Sequence, residues 1–331
     1  MLLALLTPGF LLIDHGHFQY NNVMLGFTLW SLAMFARRQY SLCVVFLMLS
    51  IAFKQMNIYS IPAFGAALLG LGMSHGTISS TLFCYIKWGL SAVLTLMACF
   101  APFLESKELI LLVLRRLFPV NRGLFEEKVA NFWCTLSILT KFHRKHANEQ
   151  LFKFCLTSVV ISLSPMVFGL IYRGAKDRVN ITKFLYSLSY VCLSMYLFSY
   201  HVHEKQILIP LLPITFLSSE DPWFVYFFTL WSSFSLFPLM RKDNLQIAYF
   251  SLISAWHCFF YLTNSTKISK MPGLWKLLIV LSLDFIVLHH IGQILWTPPT
   301  KLPDLFLVLN TLTSSVAFGI SAIYLLYKFM K

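Results

Sequence analysis

Apolar residues come in long blocks along this chain, at 23–36, 40–53, 57–73, 81–103, 151–172, 184–200, 206–219, 223–240, 246–262, 274–296 and 304–329. With the apolar start at 1–13 they make about twelve candidate segments. A helix perpendicular to a bilayer needs about 20 apolar residues. The shorter blocks are therefore expected to tilt, to extend into their flanks, or to re-enter the membrane from one side. No soluble domain or low-complexity linker interrupts the series. The pattern predicts an all-α polytopic membrane protein of about 11–12 membrane segments, forming one multi-span domain over 1–331 with a long polar or interfacial loop at about 103–150.

Composition strengthens this. The chain is 58% hydrophobic and 12% charged, about half the charge of a soluble domain. Its 32 Phe, 14 Tyr and 8 Trp supply lipid-compatible bulk and interfacial anchors. Lys and Arg outnumber Asp and Glu by 26 to 13. In a soluble protein that excess would point to nucleic acid; here topology and anionic headgroups or substrates explain it, and no nucleic-acid motif accompanies it. The 7 Cys are scattered, six of them inside apolar blocks, with Cys134 placed in an aqueous segment. No CxxC or Cys/His spacing occurs, so neither structural zinc nor a disulfide framework is expected. The start lacks a basic region and a small-residue cleavage site, so it does not read as a secretory signal.

Alternating spans give two sides, and the basic residues choose between them. One side carries Arg37, Arg38, Lys87, Arg173, Lys176, Arg178, Lys183, Lys267, Lys270, Lys276, Lys328 and Lys331, which is twelve. The short connections opposite carry Lys54, Lys205, Arg241, Lys242 and Lys301, which is five. The positive-inside rule places the twelve in the cytosol. Residues 14–22, the long connection and 201–205 then share the non-cytosolic side. The sequons at Asn180 and Asn264 fall on the cytosolic side and are expected to be unmodified.

Three polar stretches stand out against the apolar background. Asp14-His15-Gly16-His17-Phe18-Gln19-Tyr20-Asn21-Asn22 packs an acid, two imidazoles, three carboxamides and a phenol into nine residues. Such groups left unpaired in hydrocarbon would cost roughly 2–7 kcal/mol each, which places them at a membrane–water boundary or in a hydrated cavity. Gly16 suits a turn or a close approach to a ligand. In the long connection, 105–117 has the face of an interfacial amphipathic helix that Pro119 stops. Arg115, Arg116 and Arg122 have the fork geometry that holds a phosphate, although headgroup anchoring explains Arg115 and Arg116 as well. His201-Val202-His203-Glu204-Lys205 puts His201 and Lys205 on one helical face. HEKQ is not the HExxH pattern and no third ligand is evident, so an anion-holding role is preferred to a metal site. Lys54 at a span end reads as an anchor, His289-His290 as a packed pair, and 297–304 as a proline-stiffened turn. The rival class, a transporter or lipid-binding protein without chemistry, draws on the same many spans and polar cavity and stays open as an alternative, but no internal repeat is visible and the polar groups gather on one side rather than at mid-membrane.

Together, Asp14-His15-Gly16-His17-Phe18-Gln19-Tyr20-Asn21, Phe53-Lys54-Gln55-Met56, the run from Arg116 through Arg122-Gly123-Leu124-Phe125-Glu126-Glu127-Lys128 to Trp133, Val202-His203-Glu204-Lys205 and Lys301-Leu302-Pro303-Asp304-Leu305 resemble the endoplasmic-reticulum glucosyltransferases of the asparagine-linked glycosylation pathway. The resemblance covers essentially the whole chain. It implies a GT-C membrane fold working on the lumenal side, with dolichyl-phosphate-glucose as donor, a mannose of a dolichyl-diphosphate oligosaccharide as acceptor, inversion at the anomeric centre and no cofactor. Two related members add the first, α-1,3, and the second glucose; Gly16 and the Phe-Lys-Gln-Met segment look more like the first. The resemblance further implies phosphate contacts for His201, His203, Lys205, Arg116 and Arg122, with Glu204 in the same segment. Asp14, His15, His17, Gln19 and Tyr20 would shape the cavity and orient donor or acceptor sugar. The acidic residue proposed as base in that family lies in an N-terminal portion that has no counterpart in this sequence. The catalytic base is therefore not expected among residues 1–331, and a catalytically incomplete fragment is an open alternative.

Overall fold

The structure, a computed structural model, describes residues 2–117, 129–268 and 270–331. Arg122, one of the expected phosphate contacts, lies outside the described residues. The apolar blocks fold as helices, the form that satisfies backbone N–H and C=O groups inside a segment when lipid offers no partner. In chain order the main ones are α1 (Asn21–Ala36), α2 (Tyr40–Phe53), α3 (Ile61–Met73), α4 (Ile78–Phe100), α5 (Lys107–Leu117), α6 (Phe132–Thr140) and α7 (Asn148–Ala175). They continue with α8 (Ile181–Phe198), α9 (Leu208–Thr215), α10 (Pro222–Ser235), α11 (Gln246–Ile268), α12 (Gly273–Leu295) and α13 (Leu305–Met330).

Among the described residues, seven helical stretches are long and apolar enough to cross a membrane: 55–73, 78–103, 148–175, 181–198, 222–242, 273–295 and 305–330. The all-α polytopic membrane fold is therefore what the chain adopts. The remaining blocks take shorter or bent forms. α1 has 16 residues and α2 has 14. In the 206–219 block, Pro210 and Pro213 accompany a helix of only 8 residues. α11 bends at Asn264, which has φ −120° and ψ 16°.

α8 is central and buried almost all round, packed by α7, α9 and α13. Its Phe184 stacks on Phe35 of α1 at 4.0 Å and meets Phe64 of α3 edge-on at 4.9 Å. α3 and α7 cross at Gly70 and Gly174, where a Cβ on Gly174 would stand 2.8 Å from the Gly70 backbone. Only glycine permits that approach. α4 buries Trp88 alone along 23 residues, and an apolar helix exposed all round is matched by lipid rather than water. His289 and His290 are buried among aromatic rings, His289 Nε2 lying 2.9 Å from the Phe306 carbonyl, so the pair is packed as expected.

The bundle has two chemically distinct ends. At one, Arg38 pairs with Asp177 at 3.1 Å, Lys183 Nζ donates to the Lys328 carbonyl at 2.8 Å, and Arg173 donates to the Phe329 carbonyl at 3.1 Å. Asp221 is the buried node of that end. Its Oδ2 accepts from the Tyr186 and Tyr324 hydroxyls, each at 2.8 Å, and pairs with Lys328 at 2.9 Å. Lys267 joins the same end through the Ser219 carbonyl at 3.1 Å. These basic residues are those that charge bias groups on one side. α2, α8 and α10 each run from this basic end to the other, where residues 14–22, Lys54 and Lys205 converge.

Cys134 corrects an expectation. It is buried at 6% exposure rather than set in water. Asn131 caps α6 by accepting from the Cys134 N–H at 2.8 Å, and Trp133 donates from Nε1 to the Phe198 carbonyl at 2.8 Å, turning this stretch inward. Among the described residues no two cysteines are joined by a disulfide.

Candidate functional site

The polar run opens with a single π-turn, Leu12–Gly16, whose wider ring lets Asp14 point back under the following chain. Asp14 is buried, and both carboxylate oxygens are used. Oδ1 accepts from the Asn21 side-chain amide at 2.8 Å, and Oδ2 accepts from the backbone N–H of Asn22. Asn22 is the second residue of α1, and Tyr20 before it offers no side-chain cap. The Asp14 carboxylate therefore serves as that helix's missing cap, placed where the helix dipole favours negative charge.

Phe18 sits in left-handed backbone at φ 61°, a conformation that costs an aromatic residue about 1–3 kcal/mol. That reversal sends His17 and Gln19, on its two sides, toward different lysines. Gln19 Oε1 accepts from Lys54 Nζ at 3.1 Å, and Asn21 Oδ1 accepts from the same ammonium at 2.6 Å. His17 Nδ1 meets Asp243 Oδ2, while Nε2 lies 3.2 Å from Lys205 Nζ. His15 and Tyr20 stay exposed on the rim, Tyr20 against the Phe18 ring at 5.9 Å.

Two short 3₁₀ turns hold the lysines. Lys54 ends α2, followed by the turn Gln55–Ser60. Beneath it, buried Asn57 donates to Thr28 at 2.9 Å and Ser50 at 2.7 Å and accepts from Ser60 at 2.8 Å. That satisfied network ties α1, α2 and the turn into one unit. Lys205 lies in the turn Glu204–Ile207. Gln206 of this turn accepts from the His203 N–H at 2.7 Å and from the Tyr59 hydroxyl at 3.4 Å, so the two turns are bonded to each other. Lys54 is thus turned inward rather than anchoring the span end in water. Half burial holds its ammonium below the ordinary lysine range, the Lys205 charge lowers it further, and Asp14 opposes both.

Of the residues singled out from sequence, the structure brings together Asp14, His17, Gln19 and Lys205, with His15 and Tyr20 at the rim. His201 instead lies against the Tyr200 ring at 4.6 Å. Glu204 lies toward Cys134 instead: burial pushes that thiol up to about 11, against a hydrogen bond with the Val129 backbone, and the Glu204 charge adds a smaller push in the same direction as burial. Arg116 is on exposed α5, which buries no residue. Sequence reasoning missed Asp243, Asn21 and the inward role of Lys54. Among the described residues no three of His, Cys, Asp and Glu gather as metal ligands. An apolar cavity of about 580 Å³ opens beside Trp223, Tyr226 and His257 and is lined by none of these groups.

The arrangement presents two ammoniums, each held by neutral acceptors with a carboxylate behind them, beside exposed hydroxyl and imidazole groups. This suits an anionic ligand that carries polar groups at a membrane surface. Residues 1–327 match the model of the ALG6, ALG8 glycosyltransferase family. The chain belongs to that family. A protein of Dictyostelium discoideum named "Probable dolichyl pyrophosphate Man9GlcNAc2 alpha-1,3-glucosyltransferase" is 43% identical over 75% of this chain and 48% of its own length. The Mus musculus "Dolichyl pyrophosphate Man9GlcNAc2 alpha-1,3-glucosyltransferase" is 34% identical over 98% of this chain and 67% of its own length. The Saccharomyces cerevisiae protein of the same name is 33% identical over 98% and 64% respectively. The chain thus spans about half to two thirds of the length of these relatives.

Proposed function

We propose that the chain is the phosphate- and sugar-facing part of a glucosyltransferase that moves glucose from dolichyl-phosphate-glucose to the mannose-rich dolichyl-diphosphate oligosaccharide, forming the first, α-1,3, linkage. The observation that carries this is the convergence of 14–22, Lys54 and Lys205 into one bonded cluster at one end of a membrane bundle of this family. The relatives' names support the first-glucose substrate over the second. Charge bias supports a lumenal position for the cluster, because the twelve basic residues of the other end favour the cytosol. An endoplasmic-reticulum membrane follows from the same substrates.

The chemistry is a displacement at the glucosyl anomeric carbon. The acceptor hydroxyl oxygen bonds to that carbon, the bond to the donor phosphate oxygen breaks, and the electron pair leaves with the phosphate. A base takes the acceptor proton. Asp14 is not that base: both its oxygens are occupied in holding α1. Lys205 faces the leaving phosphate, and the rim residues His15 and Tyr20 meet sugar hydroxyls. The full-length protein, purified with dolichyl-phosphate-glucose and the unglucosylated acceptor, tests this. One α-linked glucose should be added. Transfer only to an acceptor that already carries one glucose, or no transfer, overturns it.

A further inference from the structure

Behind each of the two lysines stands the same construction. Asp14 accepts from the Asn21 amide at 2.8 Å, and Asn21 turns its oxygen to Lys54 at 2.6 Å. Asp243 meets His17 at Nδ1, and His17 turns Nε2 to Lys205 at 3.2 Å. The polarity of both chains is fixed by the donor inventory. An ammonium has three donors and no acceptor, so the atom facing it must accept. Nε2 of His17 therefore carries no proton, and its N–H is at Nδ1, donating to Asp243. Likewise the Asn21 oxygen faces Lys54 and its NH₂ faces Asp14. A carboxylate thus orients a neutral side chain, which orients a lysine, twice over. The valences leave room for a ligand. Lys54 spends two N–H bonds on Gln19 and Asn21, and Lys205 spends one on His17, leaving one and two donors open among the described residues.

We propose that Lys54 and Lys205 form a single two-cation cradle for a phosphate ester, with Asp14 and Asp243 as positioning residues that act through Asn21 and His17. The proposal rests on the glucosyltransferase reading and specifies which part of that site takes the phosphate. Gln19 and Asn21 hold one ammonium and His17, two positions before Gln19, holds the other, so both charges face the same short stretch, partly out of water. Like charges so placed repel each other, and an anion between them relieves the repulsion; burial first, and then the Lys205 charge, hold the Lys54 ammonium below the ordinary lysine range. Glucosyl transfer turns a diester of one negative charge into a monoester approaching two. The cradle grips the departing phosphate harder than the donor, the condition for lowering the barrier rather than merely binding substrate.

The test uses the full-length protein in phosphatidylcholine nanodiscs, with farnesyl phosphate, inorganic phosphate and farnesol as probes and lysine acetylation followed by mass spectrometry. Farnesyl phosphate should slow acetylation of Lys54 and Lys205 together and leave exposed Lys301 unchanged, while farnesol protects neither. Equal protection by inorganic phosphate would assign the cradle to a free anion rather than a lipid-borne one. Asp243→Asn should weaken farnesyl phosphate binding about tenfold or more, with the donor KM raised, the acceptor KM unchanged and partial recovery in Asp243→Glu. A residue needed only for folding would move both KM values alike. Lys54→Arg keeps the charge and should keep the protection of Lys205. Unprotected lysines in a protein that still transfers glucose would overturn the cradle and spare the enzyme. Protected lysines without transfer would overturn the enzyme and spare the cradle.

Discussion

Replacing Asp14 separates an anchoring carboxylate from a catalytic one. The side chain is 7% exposed, and its two oxygens satisfy two donors, the Asn21 amide and the Asn22 N–H at the start of α1. Hydrogen bonds to a charged group contribute about 1.5–3 kcal/mol each, and a lost helix cap costs about 0.5–2 kcal/mol. Asp14→Asn retains one acceptor but turns an NH₂ toward the other donor, so it should cost about 2–3 kcal/mol. Asp14→Ala leaves both donors unpaired and should cost about 3 kcal/mol or more. Freed from Asp14, Asn21 no longer fixes its oxygen on Lys54, so activity should fall in proportion to the disorder of that lysine rather than vanish. Denaturant unfolding in detergent, read beside glucose transfer, measures both. If Asp14→Asn unfolds like the wild type yet shows no transfer, the carboxylate touches substrate and the cap assignment is wrong.

Four further outcomes follow from other parts of the fold. Gly174→Val sets new methyl groups against the Gly70 backbone, which cannot step aside; overpacking of this kind costs about 1–3 kcal/mol, and the variant should show a lowered melting temperature with α3 and α7 prised apart. Asp221→Ala strips three partners, Tyr186, Tyr324 and Lys328, from one buried oxygen and should destabilise by about 3–5 kcal/mol, whereas Tyr324→Phe removes a single bond and should cost about 1 kcal/mol in the same unfolding assay. Lys54 is held below its ordinary 10.5 by burial and by Lys205. The unfolded chain therefore binds that proton more tightly than the folded one, and the charge costs stability below the folded value, a cost that fades as pH rises toward 10.5. Lys54→Met should flatten the alkaline rise in stability, and an unchanged profile would remove Lys54 from the balance. Asn264 is 5% exposed with its amide bonded to the Phe260 carbonyl; peptide mapping should find that sequon without a glycan.

The membrane fold was legible because hydrocarbon imposes one rule on every residue of a span, and length and apolarity report it locally. The shared end of 14–22 and 201–205 was legible from charge bias, which is additive over many residues. Pairings between single side chains were not. His17 and Asp243 are 226 positions apart, and nothing in Arg241-Lys242-Asp243-Asn244 marks the acid as different from any other at a helix end. Lys54 read as a snorkelling anchor because sequence shows a lysine's place along a span but not the buried Asn57 network that turns it inward. His201 was grouped with Lys205 by four-residue spacing. That spacing holds only in an α-helix, and the backbone there enters a 3₁₀ turn at Glu204 instead. Cys134 was misplaced for a similar reason: the cap at Asn131 and the Trp133 anchor fold polar-flanked sequence back onto the core.

The central claim is that this family member adds the first glucose, and the mass of the dolichyl-linked oligosaccharide in living cells tests it most directly. In cells lacking their own first-glucose activity, the full-length protein should move the accumulated unglucosylated oligosaccharide to its glucosylated forms, and the Lys54→Met, Lys205→Met double variant should not. An oligosaccharide that stays unglucosylated with the intact protein present in the membrane, or one glucosylated equally well by the double variant, would contradict the account.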